Sequence, residues 1–95
     1  MTIAIVVHGG AGNWQEKGDG LVEARQACEA AAAAGRAVLA RGGSALDAVE
    51  TAVILLEDCP VLDAGRGSYP NTEGAVEMDA LIMDCLLYTS DAADE

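Results

Sequence analysis

A long alanine-rich stretch, interrupted only at Gly42-Gly43 and stopped by Pro60, restricts the fold of this chain more than any other feature. Between Leu21 and Arg41, small and apolar residues recur at three- and four-residue steps, the spacing of an amphipathic helix. They are Leu21, Ala24, Cys28, Ala31, Gly35, Val38 and Leu39. The sequence therefore predicts a helix from about Leu21 to Arg41 that ends at the two glycines.

A second helix is predicted immediately after the glycine pair. Ser44 stands at the N-cap position, and Asp47 occupies the acidic third position of a capping box. The apolar stripe of this helix is Leu46, Val49, Val53 and Leu56. The helix must end at or before Cys59, because the residue that precedes a proline is disfavoured in helical geometry. The short link makes the two helices an antiparallel pair.

One extended segment is predicted on each side of the helix pair. Thr2 to Val7 is a β-branched run that ends in glycines, and because nearly every position is apolar it is interpreted as a buried strand. Val61 to Gly74 is a glycine-punctuated loop, and Ala75 to Asp84 is predicted to be a second strand. Strand, two helices and strand indicate an α/β fold. With almost no aromatic residues, the core must consist of Ala, Val and Leu.

Charge and composition exclude several classes of protein. The net charge of −11 would repel a phosphate backbone, so nucleic acid is not expected as a partner. No apolar run reaches the roughly 18 residues of a membrane span, so no membrane contact is expected. The three cysteines, Cys28, Cys59 and Cys85, show no disulfide framework or metal-binding spacing. No basic region precedes the first apolar run, so a cytoplasmic location is expected.

The junction from Val7 through His8 to Gly12 has the glycines of a phosphate-binding loop but lacks its other parts. The third glycine of a dinucleotide fingerprint would fall at Gln15, and the Lys-Ser/Thr ending of a P-loop is absent. No helix is predicted directly after Gly12, so no helix N-terminus is available to hold a phosphate. Nucleotide binding is therefore not expected, and His8 is interpreted as a structural hydrogen-bonding residue.

Two further segments each allow two interpretations. The stretch from Leu55 to Gly67 is either an ordinary helix-to-loop connection or a tight loop whose carbonyls turn inward toward a hard cation. Glu77 and Asp79 would share one face of a strand, with Asp84 further along it. These acids are either paired carboxylates or metal ligands, or they are solvent-exposed side chains.

Taken in order, these motifs resemble the isoaspartyl peptidase/L-asparaginase family, the plant-type asparaginases among the N-terminal-nucleophile hydrolases. The resemblance runs from Ile3 to Asp84 and rests on Val7–Gly12, Gly42–Glu50, Leu56–Pro60, Ala64–Ser68, Asn71, Gly74, Glu77–Ala80 and Ile82–Asp84. It implies a four-layer αββα fold and a precursor that cleaves itself to free a threonine nucleophile. It also implies small-molecule substrates, L-asparagine and β-aspartyl peptides, and a dimer of processed αβ units.

The family's catalytic threonine lies beyond position 84, so the resemblance places no catalytic residue in this chain, and the fragment is expected to be inactive. It does imply a structural sodium ion bound by main-chain oxygens and no catalytic cofactor. The implied ligands are the carbonyls of Leu56, Glu57, Cys59, Leu62, Ala64 and Arg66.

Three residues are implied to lie beside the active site. Gly9 and Gly10 match the glycine loop near the nucleophile, where missing side chains allow close backbone approach. Asp63 stands where the family usually has Asn, whose amide both donates and accepts, whereas an ionised carboxylate only accepts. This departure puts self-cleavage of the full-length parent in question.

Residues 1–84 are accordingly predicted to be the N-terminal part of such a hydrolase domain. Residues 85–95 are predicted to be a non-native tail, because their sequence reads as a translated sequencing adapter. Two other functions remain open. Removal of Met1 would expose Thr2 as an N-terminal nucleophile, although such sites also need a lysine and the chain has only Lys17. The chain would otherwise be a non-catalytic binding or association module.

Overall fold

The computed structural model describes residues 2–10 and 20–84, and its framework is a pair of packed helices. Helix α1 spans Gly20–Ala40 and helix α2 spans Ala45–Glu57. A single turn of 3₁₀-helix, Gly65–Gly67, follows in the loop after α2 and packs against it. Neither helix of this described part has both the length and the apolar character needed to cross a membrane.

The link between the helices forms as the sequence predicts. Gly42 has a φ of +88°, a left-handed conformation that glycine adopts without penalty. Its N–H donates to the Leu39 carbonyl at 3.1 Å, and the Gly43 N–H donates to the Val38 carbonyl at 2.8 Å. These two bonds define a Schellman cap, which satisfies the last carbonyls of α1 and turns the chain back.

The start and end of α2 also agree with the prediction. The Ser44 hydroxyl accepts a hydrogen bond from the Asp47 N–H at 3.0 Å, which is half of a capping box. The helix ends at Glu57, before Cys59 and the proline. The positions of serine, glycine and proline in the sequence therefore coincide with the helix bounds in the structure.

Small residues make the close contact between the helices possible. A β-carbon on Gly35 would lie 3.1 Å from the Ala48 carbonyl oxygen and 3.5 Å from the β-carbon of Ala52, and it would collide with the Ile5 side chain. The buried apolar residues are correspondingly small, as the composition predicts. They are Ala24, Ala31, Val38, Ala48, Ala52, Cys59 and Leu62.

The predicted apolar stripe of α2 is only partly buried. Val49 is 39% exposed and Val53 is 44% exposed, whereas Ala48 and Ala52 make the contact with α1. The reason is steric, because Gly35 admits a second backbone only where the facing residues are as small as alanine. Val49 and Val53 instead line an open apolar groove of about 460 Å³ beside residues 80–83.

The two predicted strands do not form as β-strands, so those predictions are wrong for the part of the chain that the structure describes. The only β-pairing among residues 2–10 and 20–84 is an isolated antiparallel bridge between Pro70 and Val76. A strand needs a neighbour along its length to complete its hydrogen-bond ladder. Among the described residues, Ala75–Asp84 is paired only at Val76, and Thr2–Val7 is not paired at all.

The first segment nevertheless keeps the alternation of a strand. Ile3, Ile5 and Val7 are half-buried, whereas the intervening side chains are exposed, Val6 to 92%. Burial at every second position is the pattern of extended backbone lying on one surface. The segment is therefore covered on one face and not on both, which corrects the prediction of a fully buried strand.

Candidate functional site

A cleft of about 320 Å³ brings the three residues predicted to lie beside the active site into one place. Gly9, Gly10 and Asp63 all line it, although more than half of the described chain separates the glycines from the aspartate. The remaining lining residues are His8, Val53, Leu56, Glu57, Leu62 and Ala64. One wall is thus the glycine loop, and the other is the end of α2 with the loop that follows it.

Gly9 is a glycine because its surroundings leave no room for a side chain. A β-carbon there would lie 2.7 Å from the Cys28 sulfur and 3.5 Å from Cδ2 of Leu62. Gly10 is constrained differently, since its φ is +108° and a β-carbon would meet nothing within 4 Å. Close packing therefore explains the first glycine, and backbone conformation explains the second.

The His8 side chain folds back onto this glycine loop. Its Nδ1 atom accepts a hydrogen bond from the Gly10 N–H at 3.3 Å. The bond agrees with the structural role predicted for His8.

The Asp63 side chain closes the loop on the opposite wall. Its Oδ1 atom accepts a hydrogen bond from the Tyr69 N–H at 2.8 Å. The residue itself is exposed, whereas its neighbour Leu62 is only 3% exposed and lies in a core cluster with Ala24 and Cys59. Asp63 therefore extends from a buried anchor toward the cleft.

Of the six predicted carbonyl ligands, Leu56 and Glu57 are the last two residues of α2, and the other four lie in the loop that follows it. A β-carbon on Gly65 would meet the Glu57 carbonyl oxygen at 2.6 Å. One on Gly67 would meet the Pro60 carbonyl oxygen at 2.6 Å and would collide with that of Leu62. The carbonyl oxygens of Glu57, Pro60 and Leu62, two of which are predicted ligands, therefore lie close to the glycines of the loop.

These carbonyls also accept main-chain hydrogen bonds. The carbonyls of Leu56, Cys59, Leu62 and Ala64 accept backbone N–H bonds at 2.8 to 3.3 Å, and that of Leu56 is approached by the Asp58 N–H as well. A carbonyl oxygen has two lone pairs, so accepting one N–H bond does not by itself prevent it from binding a cation. The donor set is composed of hard neutral oxygens, which fits an alkali or alkaline-earth cation better than a soft metal.

The acidic side chains do not form a metal centre. Glu77 and Asp79 border a second, polar depression of about 210 Å³ together with Glu57, Asp63 and Ser68. Both are exposed, as the interpretation of solvent-exposed side chains predicts. Among residues 2–10 and 20–84, no group of His, Cys, Asp and Glu side chains is arranged to hold a metal ion.

Sequence reasoning missed two features of this loop. The hydroxyl of Ser68 is buried without a hydrogen-bond partner in the described part of the chain, and it borders the same depression as Asp63. The bond to the Tyr69 N–H was also missed, because a main-chain donor leaves no mark on the sequence. An aspartate before a glycine-rich turn was the only available signal, since such residues often accept main-chain N–H bonds.

The remaining predictions concern thiols and termini. Cys28 and Cys59 are free thiols in the part of the chain that the structure describes. Thr2 is exposed, but Lys17 lies outside the described residues, so the alternative of a Thr2 nucleophile stays a prediction. Cys85 and the predicted tail at residues 85–95 also lie outside the described part.

Comparison with known proteins places this chain beside a group of amide hydrolases. The family model described as "Asparaginase" matches residues 1–92. The chain is 51% identical over 84 residues to an isoaspartyl peptidase/L-asparaginase of Xenopus laevis, covering 88% of this chain and 26% of that protein. The human isoaspartyl peptidase/L-asparaginase is 50% identical over 84 residues, with 88% and 27% covered.

An archaeal protein is nearly as similar. A plant-type L-asparaginase of Pyrococcus abyssi is 47% identical over 81 residues, which cover 85% of this chain and 26% of that protein. The chain thus spans about a quarter of the length of the curated relatives that it matches.

Proposed function

The chain belongs to the asparaginase family, and from that membership we propose that it is the N-terminal part of a threonine-nucleophile amidohydrolase. The reaction would be hydrolysis of the side-chain amide of L-asparagine and of β-aspartyl peptide bonds. The observation that carries this proposal is the cleft that Gly9, Gly10 and Asp63 share, within a region about half identical to isoaspartyl peptidase/L-asparaginases.

The role of this chain would be to build one side of the active site. In the proposed mechanism the N-terminal amine of a threonine, freed by self-cleavage, acts as base for its own hydroxyl. Gly9 has no space for a side chain, and Gly10 adopts a conformation that favours glycine, so this wall presents bare backbone to the cleft. Bare backbone allows a nucleophile from elsewhere in the complete protein to approach closely.

The proposed αββα sandwich accounts for the half-covered first segment. In such a fold a central strand packs against helices on one face and against the second sheet on the other. Ile3, Ile5 and Val7 are half-buried here, and Val6 is 92% exposed on the opposite face. An apolar face left open supports the proposal that a second layer covers it in the complete protein.

A structural sodium ion is a further part of the proposal. The main-chain carbonyls of Leu56, Glu57, Cys59, Leu62, Ala64 and Arg66 would hold it. Bound there, the ion would supply electrostatic cross-linking of the loop and no catalytic chemistry. The carbonyl oxygens of Glu57 and Leu62, which lie against Gly65 and Gly67 of the loop, support this assignment. Because only backbone oxygens bind, the side chain of Arg66 would contribute little.

Cytoplasmic location, self-cleavage and a dimer of αβ units complete the proposal for the full-length parent. Asp63 is the departure that bears on this chemistry, because its carboxylate offers acceptors where an amide would also offer a donor. An unchanged rate and unchanged processing in an Asp63→Asn variant of the parent would show that the departure affects neither step.

The experiment that tests the proposed function is a hydrolysis assay on two proteins. One is the present chain, and the other is the product of the complete reading frame from the same gene. Aspartate release from L-asparagine and from a β-aspartyl dipeptide is expected only from the longer protein. Release by the present chain would overturn the assignment of the nucleophile, and release by neither would overturn the hydrolase assignment.

A non-catalytic association module is the second candidate function. The apolar groove lined by Val49, Val53 and residues 80–83 favours it, because open apolar surface of this kind promotes association. Light scattering of a chain that ends at Asp84 separates the possibilities. A clean monomer argues against an association module and against the idea that lost parts of a domain once covered these faces.

A further inference from the structure

We propose that Asp63 is a positioning residue: its carboxylate closes the loop from 63 to 69 and so fixes the cleft wall that faces Gly9 and Gly10. The proposal deepens the proposed function, because it assigns a role to one residue of the same cleft. The proposal depends on the proposed function only in one respect, namely which reaction takes place in the cleft. The loop closure itself is a property of this chain.

The geometry gives the Asp63 side chain a defined partner across the loop. Its Oδ1 atom accepts from the Tyr69 N–H at 2.8 Å, a short distance for a bond to an amide. Bonds from N–H groups to an ionised carboxylate are stronger than those to neutral acceptors. A single side chain therefore holds two points of the backbone together across six residues of sequence.

The two ends of this closure are attached to different parts of the molecule. On one side, Leu62 is 3% exposed and packs in the cluster with Ala24 and Cys59. On the other side, Tyr69 directly precedes Pro70, which pairs with Val76 in the turn that follows. Asp63 thus ties the exposed segment after position 69 to the helix core.

The hydrogen bonds inside the loop do not replace this closure. The Gly67 N–H donates to the Ala64 carbonyl at 3.1 Å, and the Ser68 N–H donates to the Gly65 carbonyl at 3.2 Å. These bonds form the 3₁₀ turn and leave the Tyr69 N–H to Asp63. Loss of the carboxylate should therefore remove the acceptor of the Tyr69 N–H while the inner turn remains.

The choice of substitution separates a positioning role from a general need for an acidic residue. Asparagine keeps an oxygen at the Oδ1 position and loses the charge, so it should preserve the closure. Alanine removes the acceptor altogether. Asp79→Ala is a matched control, because Asp79 is an exposed aspartate that borders the same polar depression as Asp63.

The test is amide hydrogen exchange, measured by NMR on the full 95-residue chain and on these three variants. The Tyr69 amide is expected to exchange about tenfold faster in Asp63→Ala than in the wild type, since a net hydrogen bond contributes about 1–2 kcal/mol. Asp63→Asn and Asp79→Ala should stay within about threefold of the wild type by the same reasoning. The buried Ala52 amide in α2 reports whether each variant is folded.

A scalar coupling across the hydrogen bond, from the Tyr69 nitrogen to the Asp63 carboxyl carbon, gives a second measurement on the wild type alone. This coupling tests the hydrogen bond between Tyr69 and Asp63 even if Asp63→Ala fails to fold. An absent coupling, a Tyr69 amide equally fast in wild type and Asp63→Ala, or an Asp79→Ala effect of equal size would overturn the proposal. None of these measurements uses a substrate, so failure here is distinguishable from failure of the hydrolase assay.

Discussion

The sulfur of Cys28 lies 2.7 Å from the point that a β-carbon on Gly9 would occupy. Cys28 is half-buried on α1, and Gly9 stands at the end of the extended first segment. The glycine loop therefore lies directly against the helix, so close that a methyl group on Gly9 would overlap the Cys28 sulfur unless that side chain shifted. This contact sets the position of one wall of the cleft.

The contact between Gly9 and Cys28 predicts that a smaller residue at position 28 restores the stability that a larger residue at position 9 removes. Gly9→Ala should destabilise the chain by about 1–3 kcal/mol, the usual cost of overpacking, and Cys28→Ala in the same chain should recover most of that loss. Urea denaturation followed by circular dichroism measures the double-mutant cycle. Gly10→Ala is the control, because its penalty of about 1–2 kcal/mol comes from a positive φ and should not respond to Cys28→Ala. Additive effects of Gly9→Ala and Cys28→Ala would contradict the contact.

The helix interface predicts a penalty for any larger side chain at position 35. Gly35→Val should cost about 1–3 kcal/mol because the Ala48 carbonyl and the Ile5 side chain leave no room for it. Ala33→Val, on an exposed position of the same helix, should cost only about 0.5 kcal/mol through helix propensity. Thermal unfolding compares the two, and equal losses would show that the helices do not pack at Gly35.

The N-cap of α2 predicts that removing the Ser44 hydroxyl lowers the free energy of unfolding and that a different acceptor at position 44 restores it. Ser44→Ala removes the acceptor of the Asp47 N–H and should cost about 1 kcal/mol. Ser44→Asp keeps an acceptor at the N-cap and should retain most of the stability. The measurement is the free energy of unfolding from urea titration. A Ser44→Asp variant as unstable as Ser44→Ala would mean that the hydroxyl does not act as a cap.

The proposed sodium loop predicts cation-dependent stability. Replacing N-methylglucamine chloride by sodium chloride at equal ionic strength should raise Tm, because a ligand that binds only the folded state stabilises it. Arg66→Ala should leave this increase intact, since only the carbonyl of that residue is implicated. An unchanged Tm in the wild type would argue against the site.

A glycine inside the loop provides a sharper form of the same test. Gly67→Ala should abolish the sodium-dependent increase, because a methyl group there meets the carbonyl oxygens of Pro60 and Leu62. Gly74→Ala carries a positive-φ penalty in open space and should retain the increase. Differential scanning fluorimetry in the two salts reports both variants, and an intact increase in Gly67→Ala would contradict the assigned loop.

Local chemistry made the helices predictable. Ser44, the pair Gly42-Gly43 and the proline at 60 act within a few residues of themselves, so their effects can be identified in the sequence alone. The two strands could not be predicted from local sequence in the same way, because the hydrogen-bond ladder of a strand depends on a partner strand elsewhere in the chain. The segment from Thr2 to Val7 keeps a strand's alternation without such a partner.

The buried face of α2 and the closure of the loop by Asp63 could not be predicted from the sequence, for different reasons. Val49 and Ala48 are both apolar, and only the close approach at Gly35 selects the smaller residue for the interface. The Tyr69 N–H that Asp63 binds belongs to the main chain, which every residue except proline shares. The convergence of Gly9 and Asp63 on one cleft was implied by family resemblance, and composition or periodicity gave no sign of it.

The central claim is that residues 1–84 begin a longer threonine-nucleophile hydrolase. Sequencing the native gene across codon 84 tests it most directly. The account predicts an open reading frame that continues past Asp84 and reaches a Gly-Thr-Val-Gly-like segment, the expected site of self-cleavage. A native gene that encodes Cys85 to Glu95 and then stops would contradict it, because the chain would then have no nucleophile of this class to complete its cleft.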